Sequence, residues 1–315
     1  MSCQSSTTSC VSACVSAPTR TLSTIALRTR ALVLWCIGLL EDGKTGPTMA
    51  EQCLMADQYM AAIWQASYII TGKRKLLTYS QTKLNKAGKL GSEFVNRGIT
   101  MSPADEAAPW IGKDYDACKG RTIGCTGPCV GSNTGQGRLP SSGIARVGRT
   151  IVLELFPNHF HRLVDHEIRR EQRRLERKGL KLAMRVNVAS DHWEVAGEIA
   201  DRHDGVTFYD YTAITSAVRS TDNVRRVYSR KDGRTDLTLK MLNAGHGAAV
   251  VFDAIARKNE PLPTTWHGFT VIDGDIDDLW FTRAPVNGPF VVGLRVKGDK
   301  KQVAQAIADG FAVAA

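Results

Sequence analysis

The chain has 315 residues, with 41 Lys and Arg against 31 Asp and Glu for a formal net charge of +10, and 43% hydrophobic residues. That balance is ordinary for a folded globular chain and excludes a disordered or fibrous one. The longest apolar run, Ala31 to Leu40, falls short of the roughly 20 residues that a membrane-spanning helix needs. The positive surplus favours an anionic partner such as a nucleotide or nucleic acid, and says nothing about fold.

Residues 1–24 are Ser/Thr-rich and without hydrophobic periodicity, and the apolar run after them leads into Glu41-Asp42-Gly43-Lys44 rather than a small-residue cleavage site. Residues 1–50 therefore read as a disordered or mis-started N-terminal extension, and residues 51–315 as a single α/β domain. Without the extension, 37 basic and 29 acidic residues still leave +8, so the basic balance belongs to the body. Of eight cysteines, Cys3, Cys10, Cys14 and Cys36 fall in the extension, Cys53 is alone, and Cys118, Cys125 and Cys129 stand together. A secreted disulfide scaffold spreads paired cysteines through a short chain. The distribution here predicts a reducing compartment, the cytoplasm.

Apolar, β-branched runs predict strands at Thr150–Phe156, Leu182–Val188, Val206–Tyr211, Arg225–Ser229, Ala248–Phe252, Thr270–Ile272 and Phe290–Val296. Between the first two, Pro157 suits a helix start and Gly179 a helix stop, with Phe160, Leu163, Val164, Ile168 and Leu175 on one face. That helix carries seven basic and four acidic residues over 162–178, which reads as a solvated face with ion pairs or as a nucleic-acid contact. Strands spaced this way, several nearly all apolar, fit buried parallel strands. The fold class expected is α/β, a partial or complete barrel-like arrangement of mostly parallel strands with crossover helices.

The segment 114–138 forms a cysteine loop with spacing C-x6-C-x3-C, six glycines and Pro128. Three thiolates from one loop suit a [4Fe–4S] cluster or, with a fourth ligand, a structural zinc; free thiols are the plain alternative. Several strands run straight into polar side chains, and strand C-termini are where α/β folds place their sites. Arg185 and Asn187 share one face of their strand, where an inward Arg demands a partner such as Asp191 or Asp210. Arg185, Asn187 and Asp275 are the candidate cofactor-binding residues, and Asp191 and Asp210 the candidate catalytic ones. Ser190 suits a helix N-cap. Asp273, Asp275, Asp277 and Asp278 form an acidic knot that reads as turn acids or a divalent metal site.

From about Leu77 to the C-terminus the chain resembles an uncharacterised conserved family of bacteriophage and prophage proteins. The motifs that carry the resemblance are Thr82-Lys83-Leu84-Asn85-Lys86, the cysteine triplet, Arg185 to Asp191, Tyr209-Asp210-Tyr211-Thr212, Ile272-Asp273-Gly274-Asp275 with Asp278, and Gly293 to Gly298. At greater distance it is similar to phage proteins with a cysteine loop on a radical-SAM-like partial barrel. The resemblance implies a three-cysteine iron–sulfur loop after an early strand, with sites at later strand ends. Departure from the radical SAM spacing C-x3-C-x2-C argues against S-adenosylmethionine, and Ala213 stands where relatives are expected to carry a Lys. The function expected is an iron–sulfur phage protein acting on a nucleotide, nucleic acid or protein. Its alternative is a zinc-stabilised nucleic-acid-binding or host-takeover protein without catalysis.

Overall fold

Period-two strands and amphipathic helices assemble the body around one mixed sheet. The structure, a computed structural model, describes residues 75–79, 91–112, 114–255, 260–285 and 288–315. The chain divides between Asp57 and Gln58 into two units, and all described residues belong to the second. The readings of residues 1–50, of the five cysteines before residue 54 and of Thr82 to Lys86 lie outside the described residues.

The strands are β1 Leu77–Thr78, β2 Phe94–Ile99, β3 Lys181–Arg185, β4 Thr207–Thr212, β5 Val224–Ser229, β6 Ala248–Ile255, β7 Thr265–Trp266, β8 Phe269–Asp273, β9 Val291–Val296 and β10 Ala312–Val313. The helices are α1 Ala108–Ile111, α2 Ile123–Thr126, α3 Pro140–Leu155, α4 Pro157–Glu176, α5 Trp193–Ala200, α6 Thr235–Asn243 and α7 Lys300–Ala308. The sheet runs β1-β2-β3-β4-β5-β6-β9-β8-β7, with β10 added on β6. From β2 to β8 every pairing is parallel, and β1 and β7 close the two edges antiparallel. The path ends at β1 on one side and β7 on the other, so the sheet is open and a complete barrel is not formed. Each edge ends instead in a two-residue antiparallel strand, which leaves little backbone for a further pairing.

Strands β2 to β6 advance in one direction across the sheet, so their C-terminal ends form one continuous rim. Helices α3 and α4 cross from β2 to β3, α5 from β3 to β4, and α6 from β5 to β6. Among the described residues the β4–β5 and β8–β9 connections hold only 3-10 turns, Thr215–Ala217 and Trp280–Thr282, where crossover helices were expected. Alternation along β6 divides the core. Ala248, Val250, Phe252 and Ala254 pack with Met241 and Leu242 of α6, while Ala249 packs on the other face with Tyr209, Val292, Trp280 and Phe290.

The expected strand at Thr150–Phe156 is the C-terminal half of α3. Thr150, Ile151, Val152 and Leu153 are all buried there, and an apolar run buried all round has no period to separate helix from strand. The helix expected after Pro157 is α4, which buries its predicted stripe and ends before Gly179 at φ +67°. Two acids share that stripe: Glu171 bonds Arg97, and Glu167 accepts the backbone N–H groups of Leu76 and Leu77.

Candidate functional site

A cavity of about 1290 Å³ opens at the C-terminal rim of the parallel strands. Residues after β3, β4, β5 and β9 form its floor and one wall, and the cysteine loop with the first turns of α3 forms the other. This is the position that open parallel sheets use for ligands.

Glycine lets the cysteine loop reach the strand ends. A Cβ on Gly120 would lie 2.5 Å from the Ala213 methyl beyond β4, one on Gly131 2.6 Å from the Ala189 methyl beyond β3, and one on Gly124 2.8 Å from Asp232 beyond β5. Asp232 also accepts from the Thr122 hydroxyl and the Gly124 N–H. The loop is bolted to three successive strand ends, and the small Ala213 is what Gly120 requires.

Cys118, Cys125 and Cys129 are free, half-buried and line this one cavity. Cys118 Sγ accepts the Ala104 N–H at 3.4 Å, and Cys125 Sγ donates to Thr122 O at 3.4 Å within its own turn. Burial pushes the Cys118 thiol up to about 12, so it is protonated at neutral pH. Among the described residues no three His, Cys, Asp or Glu side chains are grouped as a metal ligand set. The donors fit thiolate-metal chemistry in kind; their present placement is not yet a ligand set.

The expected partner of Arg185, Asp191 or Asp210, is corrected by the geometry. Arg185 Nη1 pairs with Asp278 Oδ2 at 3.0 Å, and its guanidinium lies over the Tyr211 ring at 4.6 Å. Asp278 is fully buried and also accepts from the Tyr209 hydroxyl at 2.8 Å, which in turn accepts from Asn96 Nδ2 at 2.7 Å. Burial opposes the charge on Arg185, but Asp278 and the facing tyrosines hold it well above its ordinary value. The other acids of the knot are also matched: Asp273 with Arg295, Asp275 with Lys297 at 2.6 Å, and Asp277 with Arg283. A divalent cation would have to displace those bases, so the knot reads as ion-paired turn acids.

Asn187 lines the cavity just beyond β3, where its amide donates to Asp210 Oδ2 at 2.6 Å. Ser190 donates to Asn187 Oδ1 at 3.0 Å instead of capping α5, whose N-cap is His192. Asp210 is buried behind Asn187, outside the cavity lining, and burial raises its carboxyl to about 7 against the pull of Arg185 and Arg226. Asp191 does line the cavity. Its Oδ2 accepts the Ala213 N–H at 2.9 Å, its Oδ1 is buried without a partner among the described residues, and burial raises its pKa. Asp275 lines the opposite side and accepts the Arg295 N–H at 2.8 Å.

A family model described as Gene product 88 matches residues 73–313, which span both the cysteine loop and the whole sheet. The chain belongs to the Gene product 88 family. It is a phage-type family of unknown function, in line with the resemblance read from the motifs. No curated protein matches, and no solved structure matches. The more distant radical-SAM likeness has no support in these comparisons.

Within this Gene product 88 chain the cavity brings together the three cysteines with Arg185, Asn187, Asp191 and Asp275. Sequence reasoning missed Arg149 and Lys231, which line it too, and it had named Tyr211 and Asp278 only within a motif and an acidic knot, not as companions of Arg185. Arg149 stands just before the run read as a strand, Thr150–Phe156, and only a helical reading of 140–155 would have placed it one turn from Ala145. No helix among the described residues is long and apolar enough to cross a membrane.

Proposed function

We propose that the strand-end cavity is the working site of this phage-type protein and that Cys118, Cys125 and Cys129 take up an iron–sulfur cluster there. The observation that carries this reading is that one loop turns three free thiols into a cavity also lined by Arg185, Asn187, Asp191 and Asp275. Soft thiolates select iron–sulfur clusters or zinc over hard cations, and three of them leave one cluster iron open. When bound, such a group supplies electron transfer or an open coordination position. Uptake requires the three thiols to deprotonate, so binding releases protons and overcomes the burial that now protonates Cys118.

The chain's own residues then divide the remaining work. Arg185, fixed by Asp278, presents a cation to the ligand, and Asn187 is oriented by Asp210 as a positioning residue. Asp191, with one unpartnered oxygen, is the group placed to hold a proton or accept a ligand donor. Anaerobic purification followed by iron and zinc analysis and a visible spectrum tests the reading. Iron with visible charge-transfer absorbance, lost in Cys125→Ala, is the result expected. A colourless protein holding one zinc would favour the zinc-stabilised, non-catalytic alternative. Unchanged metal content and stability in all three Cys→Ala variants would refute a metal role for the loop.

A further inference from the structure

Nine basic side chains line the cavity, and six of them have a carboxylate partner: Arg121, Arg138, Arg146, Arg185, Arg295 and Lys297. Lys75, Arg149 and Lys231 have none within ion-pair distance among the described residues. Lys231 donates to Ser229 Oγ at 3.2 Å and sits 6.0 Å from the Phe311 ring.

Arg149 is the most informative of the three. It is 5% exposed, yet its bonds go only to backbone carbonyls: Nε to Leu76 O at 2.8 Å, and Nη1 to Thr100 O and Ala145 O at 3.3 Å. Glu167, whose charge acts on both Arg149 and Lys75, spends its two oxygens on the Leu76 and Leu77 N–H groups at 2.9 and 3.0 Å and makes no ion pair with either base. Among the described residues no hydrogen bond engages Arg149 Nη2, and Arg149 lines the cavity. A buried guanidinium is a costly group to leave without an anion. On the same wall, Lys75 is exposed with its ammonium 4.4 Å from the Tyr79 ring, and Thr78 Oγ1 lies 3.0 Å from Thr100 Oγ1.

We propose that Arg149, Lys75 and Thr78 form the subsite for the phosphate group of a small phosphorylated ligand. This rests on the reading of the cavity as the working site and names its substrate class. A guanidinium, an ammonium and a hydroxyl on one wall match a group with about two charges and three acceptor oxygens. Arg149 is 5% exposed and lines the cavity, where a small ligand entering it can meet the guanidinium. The volume exceeds the 300–1,000 Å³ of ordinary ligand sites, so the rest of a nucleotide-sized ligand can extend toward Asp191 and the cysteine loop.

Calorimetric titration of the metal-free full chain with pyrophosphate, AMP and adenosine tests this. Pyrophosphate and AMP are expected to bind and compete, with adenosine at least about tenfold weaker than AMP, as for loss of a charge-assisted contact. Lys75→Gln, at an exposed position that leaves folding intact, is expected to weaken AMP about fivefold, and Arg149→Lys by more. AMP affinity unchanged in Lys75→Gln, or no binding of either phosphate compound, overturns the subsite, whether or not Arg149→Lys folds. Binding of duplex DNA but not pyrophosphate also overturns it. Metal content of the same preparation is scored separately. Phosphate binding without metal keeps the subsite and loses the cluster; a cluster without phosphate binding does the reverse.

Discussion

Gly120 stands against Ala213 so closely that a Cβ at position 120 would fall 2.5 Å from the Ala213 methyl. Real Cβ atoms do not approach a methyl so closely, so the cysteine loop can rest on the end of β4 only because position 120 has no side chain. Overpacking such a contact costs about 1–3 kcal/mol. Gly120→Ala and Gly131→Ala are expected to lower the unfolding free energy by that amount and the denaturation midpoint with it. Gly127→Ala, where nothing lies within 4 Å, is expected to leave it unchanged. Equal midpoints for all three would show that the loop does not dock as described.

The Arg185–Asp278 pair ties the end of β3 to the β8–β9 connection, with Asp278 fully buried. Removing one partner strands the other charge, so Asp278→Ala or Arg185→Ala is expected to cost about 3–5 kcal/mol in guanidinium unfolding. The double variant should cost clearly less than the two combined, because no lone charge remains. Simple additivity would count against the pair.

Burial holds the His192 imidazole neutral, down to about 4, while Tyr115 Oη lies 3.0 Å from its Nε2. A depressed histidine contributes stability that is present above its unfolded value near 6.5 and is lost as pH falls from there toward 4. The loss reaches about 3 kcal/mol. Glu167, raised by burial to about 6, acts in the opposite sense: its contribution is present below about 4.5 and is lost as pH rises through 6. Asp210, also raised, has the same sign as Glu167. The whole chain's pH profile is therefore flatter than His192 alone would give. Comparing wild type with His192→Gln between pH 7 and 4 isolates the term: the wild type should lose more stability on acidification.

Burial of the Cys118 thiol, with Asp191 and Cys129 adding to it, leaves little thiolate at pH 8 in the metal-free chain. Iodoacetamide should label Cys118 far more slowly in the native protein than in guanidinium, as read by peptide mass spectrometry. Native labelling as fast as unfolded labelling would contradict the buried, protonated thiol.

Much of the fold was legible because its signals are local. The strands near 182, 207, 225, 248, 270 and 291 announce themselves by period-two or continuous apolar runs, and α4 by Pro157, its stripe and Gly179. The run at 150–155 was not legible, since full burial erases the period that tells a helix from a strand. Strand β2 was missed because Asn96 and Arg97 interrupt it; Asn96 Nδ2 donates to Tyr209 of β4, and Arg97 pairs with Glu171 of α4.

The site divides along the same line. Residue types and spacing by themselves singled out Cys118, Cys125 and Cys129, and placed Arg185, Asn187, Asp191 and Asp275 at strand ends, because strand termini and glycine-rich loops are local features. Which of them meet, and through what partners, only the tertiary structure decided. Arg185 finds Asp278 across 93 residues, Asp210 turns inward to Asn187, and Arg149 emerges from a buried helix onto the cavity wall. Charge pairing follows strand order, and strand order is set by how the whole sheet packs, not by any neighbour along the chain.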